Sequence, residues 1–134
     1  MSTIFTRIIN RELPGRIIAE TDEYISFLDI RPMREGHALC VPKREVDYYF
    51  DLTAEELAGL AVFSKQVAAA IEAVVPCTRI ATAVLGLEVP HAHLHLVPIV
   101  TERDFKLGSS VKVSAERMNE LEQQISAAYA EQQA

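Results

Sequence analysis

The stretch Val89-Pro90-His91-Ala92-His93-Leu94-His95-Leu96-Val97-Pro98-Ile99 holds three of the chain's four histidines, one at every second position. Imidazole titrates near neutral pH and is nucleophilic when neutral, so such a row suits covalent or general acid–base chemistry. It equally suits metal binding, because His-x-His on a strand presents two nitrogens to an ion such as zinc. A third reading is a structural row facing solvent. On a strand, residues two apart share a face, which sets His91, His93 and His95 side by side at ~7 Å intervals and turns Ala92, Leu94 and Leu96 to a core. The fourth ring, His37, follows Gly36 at the start of another apolar run and joins the row if the two strands are neighbours.

The elements that must position these rings are legible in outline. Ile4, Phe5, Ile8 and Ile9 fall at helical spacing until Pro14 and Gly15 break the segment, which reads as a short amphipathic helix. Residues 16–20 and 23–30 are β-branched and aromatic runs parted by Thr21 and Asp22, a hairpin that ends before Pro32. A third strand over 37–42 follows the turn 31–36. Thr53 and Glu56 form a capping box that opens a long helix, with Leu57, Leu60, Ala61, Val67, Ala70, Ile71 and Val74 on one face and Pro76 as its stop. Residues 79–86 and 91–100 read as two more strands around the connection from Leu87 to Pro90. Ser114 caps a final helix over about 114–131, whose stripe of Met118, Leu121, Ile125 and Tyr129 suits core or dimer packing. The polar segment 102–110 before it is expected to be mobile. The pattern is that of an α+β domain with an antiparallel sheet, a long central helix and helices at both ends, one domain over 1–134 with its core at about 3–100.

Composition narrows the function. The formal charge is −6, and no cluster of Lys and Arg is present to hold a nucleic acid backbone, so a phosphate ligand is expected only in a local pocket. No apolar run approaches the ~20 residues a bilayer span needs, and the N-terminal residues lack a secretory pattern. A cytoplasmic protein without membrane contact is expected. Cys40 and Cys77 are isolated, which favours free buried thiols over a disulfide.

The run His91-Ala92-His93-Leu94-His95-Leu96-Val97 matches the signature His-φ-His-φ-His-φ-φ, with φ apolar, and the chain resembles the histidine triad (HIT) family. The resemblance extends through Ile4-Phe5, Ile8-Ile9, Glu12-Leu13-Pro14, Phe27-Leu28-Asp29-Ile30-Arg31-Pro32, Gly36-His37-Ala38-Leu39-Cys40-Val41-Pro42-Lys43 and Gly86, in the family's order. It implies a five-stranded antiparallel sheet, a homodimer in which two sheets continue as one, and a nucleotide hydrolase or transferase that needs no cofactor and cleaves at the phosphorus bearing a nucleoside. By position His93 resembles the nucleophile that forms a nucleotidyl-histidine, His95 the ring that donates to the phosphoryl oxygens, and His91 and His37 the rings that orient them. Asp29 resembles the acceptor of ribose hydroxyls, and Phe5, Ile8, Phe27 and Ile30 the apolar slot around a purine. Gly86, Leu87, Glu88 and Val89 occupy the place of the phosphate loop.

Two departures from the family pattern stand out. Bacterial relatives with a structural zinc carry Cys-x-x-Cys near the N-terminus and a histidine after the Pro-Lys strand, whereas here Thr3-Ile4-Phe5-Thr6 and Glu45 stand there, so no zinc is expected. Leu87 and Glu88 replace an amide and a hydroxyl that would meet phosphate, and a carboxylate there repels phosphate unless it turns away or finds a cation. Two other classes stay open: a non-catalytic module that binds a purine mononucleotide, and a zinc metalloprotein.

Overall fold

The computed structural model describes residues 2–134. Its strands are β1 Ile17–Glu20, β2 Tyr24–Leu28, β3 Ala38–Pro42, β4 Arg79–Ala83 and β5 Leu94–Ile99, joined in one antiparallel sheet in the order β1-β2-β3-β5-β4. Its α-helices are α1 Ile4–Ile9, α2 Ala54–Val74 and α3 Ala115–Gln133, with short 3-10 turns at Tyr49–Asp51 and Glu102–Asp104. The α+β class, the five strands and the long central helix agree with the sequence reading.

One connection decides where the rings meet. Helix α2 carries the chain from β3 past one open strand position to β4, and β5 then returns antiparallel to both, filling the gap between them. Leu39 of β3 therefore sits opposite His95 of β5, and the chain just before β3 brings His37 to the same place.

The period-two alternation of the strands splits the interior into two layers. Tyr24, Leu28, Ala38, Cys40, Ala92 and Leu96 face α2 and α3, where they meet Leu60, Phe63, Val67, Ile71, Leu121 and Ile125. On the opposite face Ile25, Phe27, Leu39 and Val41 lie under α1 and Phe5. Every residue of β2 and β3 is buried, because both faces are covered.

The helices follow their signals closely, with corrections. Thr53 and Glu56 make both bonds of the capping box, and α2 ends at Val74, just before Pro76. Ala61 faces solvent, while Phe63 and Ser64 turn inward with Leu60, Val67, Ala70 and Ile71, as a 3.6-residue period centred on Leu60 requires. By length and composition α2 is apolar enough to cross a membrane, although Lys65, Gln66 and Glu72 interrupt its apolar run. Its inward stripe is spent on the sheet and α3. Ser114 caps α3 as expected, and Met118, Leu121 and Ile125 enter the chain's own core, so this stripe is core packing. The polar segment before α3 is tied down at both ends, by Arg34 to Asp104 at 2.7 Å and by the Val111 N–H to the Pro32 carbonyl at 2.8 Å.

Both expected C-terminal strands are shorter than their sequence patterns. Val84 and Leu85 leave β4 for the loop, and β5 begins only at Leu94. His91, Ala92 and His93 are thus an extended lead-in, because the His91 N–H is taken by Val89 and the Ala92 N–H by the Val46 carbonyl at 2.7 Å instead of by a strand.

Candidate active site

The lead-in keeps the alternation of a strand. Ala92 is 1% exposed in the α2 layer, while the rings on either side of it project toward α1. Phe5 meets His93 edge-on with centroids 4.9 Å apart and lies 5.8 Å from His91. His93 and His95 stand 5.0 Å apart, and His37 is 5.2 Å from His95, so all four rings form one row. Gly36 makes the delivery of His37 possible: its backbone is left-handed at φ 90°, and a Cβ there would meet Val75 at 2.9 Å.

Partners assign the ring hydrogens, since a carbonyl only accepts and a backbone N–H only donates. His93 Nδ1 lies 2.7 Å from the His91 carbonyl and so carries hydrogen, leaving the lone pair on Nε2. His91 Nε2 donates to the Pro42 carbonyl at 2.8 Å, and its Nδ1 accepts from the Thr3 hydroxyl at 2.8 Å. His37 Nδ1 accepts the Met33 N–H at 3.0 Å, so its Nε2 donates to His95 Nδ1 at 2.9 Å. That leaves the remaining hydrogen of His95 on Nε2. One ring therefore offers a free lone pair and its neighbour a free N–H.

Burial favours the neutral form of three of the rings, His37, His91 and His95. Desolvation lowers His37, partly countered by Asp29, and lowers His91, partly countered by its bond to the Pro42 carbonyl and by Glu45. Desolvation, then the neighbouring His37 and His93, push His95 down to about 4. Asp29 accepts the Arg31 N–H on Oδ1 at 2.9 Å, a turn-forming bond, and holds Oδ2 3.6 Å from His37 Nε2.

Two places invite a metal reading, and neither donor set fits. Asp29, His37 and His95 bring one possible ligand atom each within 4.8 Å of one another. With its Nδ1 lone pair engaged by Met33, however, His37 has no lone pair to offer on Nε2. At the family's zinc position, Thr3, Thr6, Glu45 and His91 satisfy one another by hydrogen bonds, and two neutral hydroxyls do not supply the thiolate charge that zinc favours.

The residues matched to nucleotide binding separate into two groups. Phe5 of α1 and Phe27 of β2, 5% and 3% exposed, close on each other at 5.3 Å in the cluster between α1 and the sheet, beside the histidine row. Ile8 and Val89 pack at the margin of the same cluster. Asp29 is half-buried, whereas Ile30 at 80% and Leu87 at 91% exposure stand out from the body. Glu88 is exposed, and Gly86 is left-handed at φ 77°. A groove of about 630 Å³ lies elsewhere, between β1 and the end of α3, and no histidine lines it. Sequence reasoning missed the Met33 N–H and the Pro42 carbonyl as ring partners, since any residue supplies such groups and only the fold selects which.

A row of imidazoles, three of them held neutral and all ordered by shared hydrogens on one face of a five-stranded α+β sheet, defines a histidine-triad domain. The HIT domain family matches residues 10–102, and the chain belongs to that family. Over 94% of this chain and 97% of its own length, the adenosine 5'-monophosphoramidase of Schizosaccharomyces pombe is 33% identical. Among solved structures, a hypothetical histidine triad nucleotide-binding protein of Sulfolobus tokodaii superposes with a TM-score of 0.84 at 25% identity, covering 96% of this chain and 92% of that one. A zinc-bound histidine triad family protein of Mycobacterium smegmatis superposes at 0.83 with 27% identity, covering 99% and 96%.

Proposed function

We propose that this chain is a metal-independent nucleotide hydrolase or nucleotidyl transferase that works through a covalent intermediate on His93. The hydrogen order of the row carries the reading: a lone pair on His93 Nε2 stands beside an N–H on His95 Nε2. His93 Nε2 attacks the phosphorus that bears the nucleoside, and the bond to the leaving group breaks, its electron pair departing with that group, which takes a proton from solvent. The Nδ1–H of His93 shares the new positive charge with the His91 carbonyl. His95 donates from Nε2 to the phosphoryl oxygens as charge builds on them, an electrostatic role that works best in a water-poor site. The oxygen of water, or of another acceptor, then attacks the same phosphorus, the P–N bond breaks with its electron pair returning to His93 Nε2, and the acceptor's proton passes to solvent.

The substrate class follows the relatives. The Schizosaccharomyces pombe relative is an adenosine 5'-monophosphoramidase, which favours a purine nucleoside phosphoramidate. Ile8 and Ile30 are the apolar residues with surface to offer its base, and the free face of Asp29 Oδ2 suits the ribose hydroxyls. A homodimer belongs to the same reading, with β1 and β4 as the two sheet edges available to continue.

The test is a screen of nucleoside phosphoramidates and dinucleoside polyphosphates with the native protein and His93→Ala, each with and without a chelator. Turnover is expected to fall at least ~100-fold in the variant, as for loss of a central catalytic group, and to ignore the chelator. Equal rates for both proteins refute the role of His93, and loss of activity on chelation refutes metal independence. Nucleotide binding without single-turnover labelling of His93 would make the chain a binding module.

A further inference from the structure

Three segments far apart in sequence meet beside His91: the cap of α1, the chain just after β3, and the lead-in to β5. Resting on the proposed role of His93, we infer that Thr3 is a positioning residue for that ring, acting through His91 and held in place by Glu45 and Thr6.

The direction of every hydrogen in the cluster can be assigned. Glu45 Oε1 accepts the Thr3 N–H at 2.9 Å and the Thr6 hydroxyl at 2.7 Å, and these bonds hold its carboxyl below the usual range. The Thr6 hydrogen is thus spent on Glu45. Thr3 Oγ1 already accepts the Thr6 N–H at 3.1 Å, so its own hydrogen is free to donate. It goes to His91 Nδ1 at 2.8 Å, closer than the Thr6 oxygen at 3.3 Å. His91 is consequently gripped at both nitrogens, by Thr3 on one side and by the Pro42 carbonyl at 2.8 Å on the other.

That grip matters because of what the same residue's backbone does. The His91 carbonyl is the acceptor, at 2.7 Å, that keeps hydrogen on His93 Nδ1 and the lone pair on Nε2. His91 lies before β5 begins, so no strand pairing sets the angle of its peptide; the Ala92 N–H of that peptide, bonded to the Val46 carbonyl at 2.7 Å, and the His91 side chain hold it between them. Its ring is fully buried, so the two ring bonds hold the residue's orientation and with it the aim of the carbonyl. Without the Thr3 hydroxyl, His91 Nδ1 loses its donor, and of the bonds that aim the carbonyl only those of the Pro42 carbonyl to the ring and of the Val46 carbonyl to the Ala92 N–H remain. His93 then populates the opposite tautomer, with hydrogen on Nε2 and no lone pair for phosphorus.

The experiment pairs Thr3→Val, which keeps the shape and removes the hydroxyl, with Thr3→Ser, which keeps it. Ring tautomers are read by nitrogen-15 NMR of labelled histidine, and kcat and KM are measured on an adenosine phosphoramidate at a temperature where melting curves show each variant folded. Thr3→Val is expected to lose roughly tenfold in kcat, the scale of one hydrogen bond, with KM within about twofold of native and a mixed His93 tautomer. Thr3→Ser is expected to restore both. A Thr3→Val protein with native kcat and a pure Nδ1–H signal at His93 overturns the inference, as does an Nδ1–H signal at His91 in the native protein, which needs no variant. These failures differ from that of the proposed reaction, which is marked by His93→Ala keeping native turnover.

Discussion

Replacing His37 with asparagine separates the two jobs its ring performs. The ring accepts the Met33 N–H through Nδ1 at 3.0 Å and donates to His95 through Nε2 at 2.9 Å. Asparagine is short enough that its amide oxygen reaches only the first of these positions. Met33 stays satisfied, and His95 Nδ1 loses its donor. A neutral hydrogen bond contributes ~1 kcal/mol net, and ~1.5 kcal/mol at a buried site makes about a tenfold difference in population between the two His95 tautomers. Under the proposed mechanism only the tautomer with hydrogen on Nε2 serves the phosphoryl oxygens, so His37→Asn is expected to lower kcat roughly tenfold. Stability is expected to fall by only ~1 kcal/mol, whereas His37→Ala also strands the Met33 N–H and empties a ring's volume, costing ~3 kcal/mol. Denaturant melts, steady-state kinetics and nitrogen-15 spectra of His95 read the three quantities. The reasoning is refuted if His37→Asn keeps native kcat while His95 still shows its hydrogen on Nε2 alone.

Two further outcomes follow from burial and from packing. His95 is held at about 4 against 6.5 in the unfolded chain, and burial of His37 and His91 works in the same direction. As the pH falls, the unfolded state takes up protons first, so this stability is complete above about 6.5 and is lost on descending toward 4. The full shift at His95 corresponds to ~3 kcal/mol, and roughly half of that remains after screening at a partly exposed ring. Urea midpoints measured at pH 7 and pH 5 check this, and a midpoint that stays level or rises sinks it. Gly59→Ala should destabilise α2 although alanine is the better helix former, because its Cβ would run into the Tyr24 hydroxyl, which itself donates to the Glu56 carbonyl at 3.1 Å. Displacing Tyr24 outweighs the ~1 kcal/mol of helix propensity and leaves a net loss of ~1–2 kcal/mol. A melting temperature above native would refute that balance.

Much of the site was legible because its determinants are local. The alternation around His91 could be read without coordinates, and it held even where the segment proved to be a lead-in and not a strand. The Thr53–Glu56 box and the Ser114 cap likewise depend on residues three apart. Phe5 and Phe27 are harder, because apolar residues look alike whether they line a ligand slot or pack a core, and only the placement of α1 over the sheet shows that these two pack against each other. The strand ends moved for a similar reason. Strand propensity carried β4 through Val84 and Leu85, but pairing with β5 stops at Ala83.

Residue types and spacing alone determined that three imidazoles face one way, that helices begin at Thr53 and Ser114, and that the chain resembles a histidine-triad domain. Which hydrogen sits on which nitrogen was decided only in three dimensions. The tautomers of two rings depend on partners distant along the chain, His37 for His95 and Pro42 and Thr3 for His91, while those of His37 and His93 are set by the nearby Met33 N–H and His91 carbonyl. Those partners arrive because β5 enters between β3 and β4. A side chain's chemistry is written in its own residue, whereas its protonation is set by whatever the fold places against it.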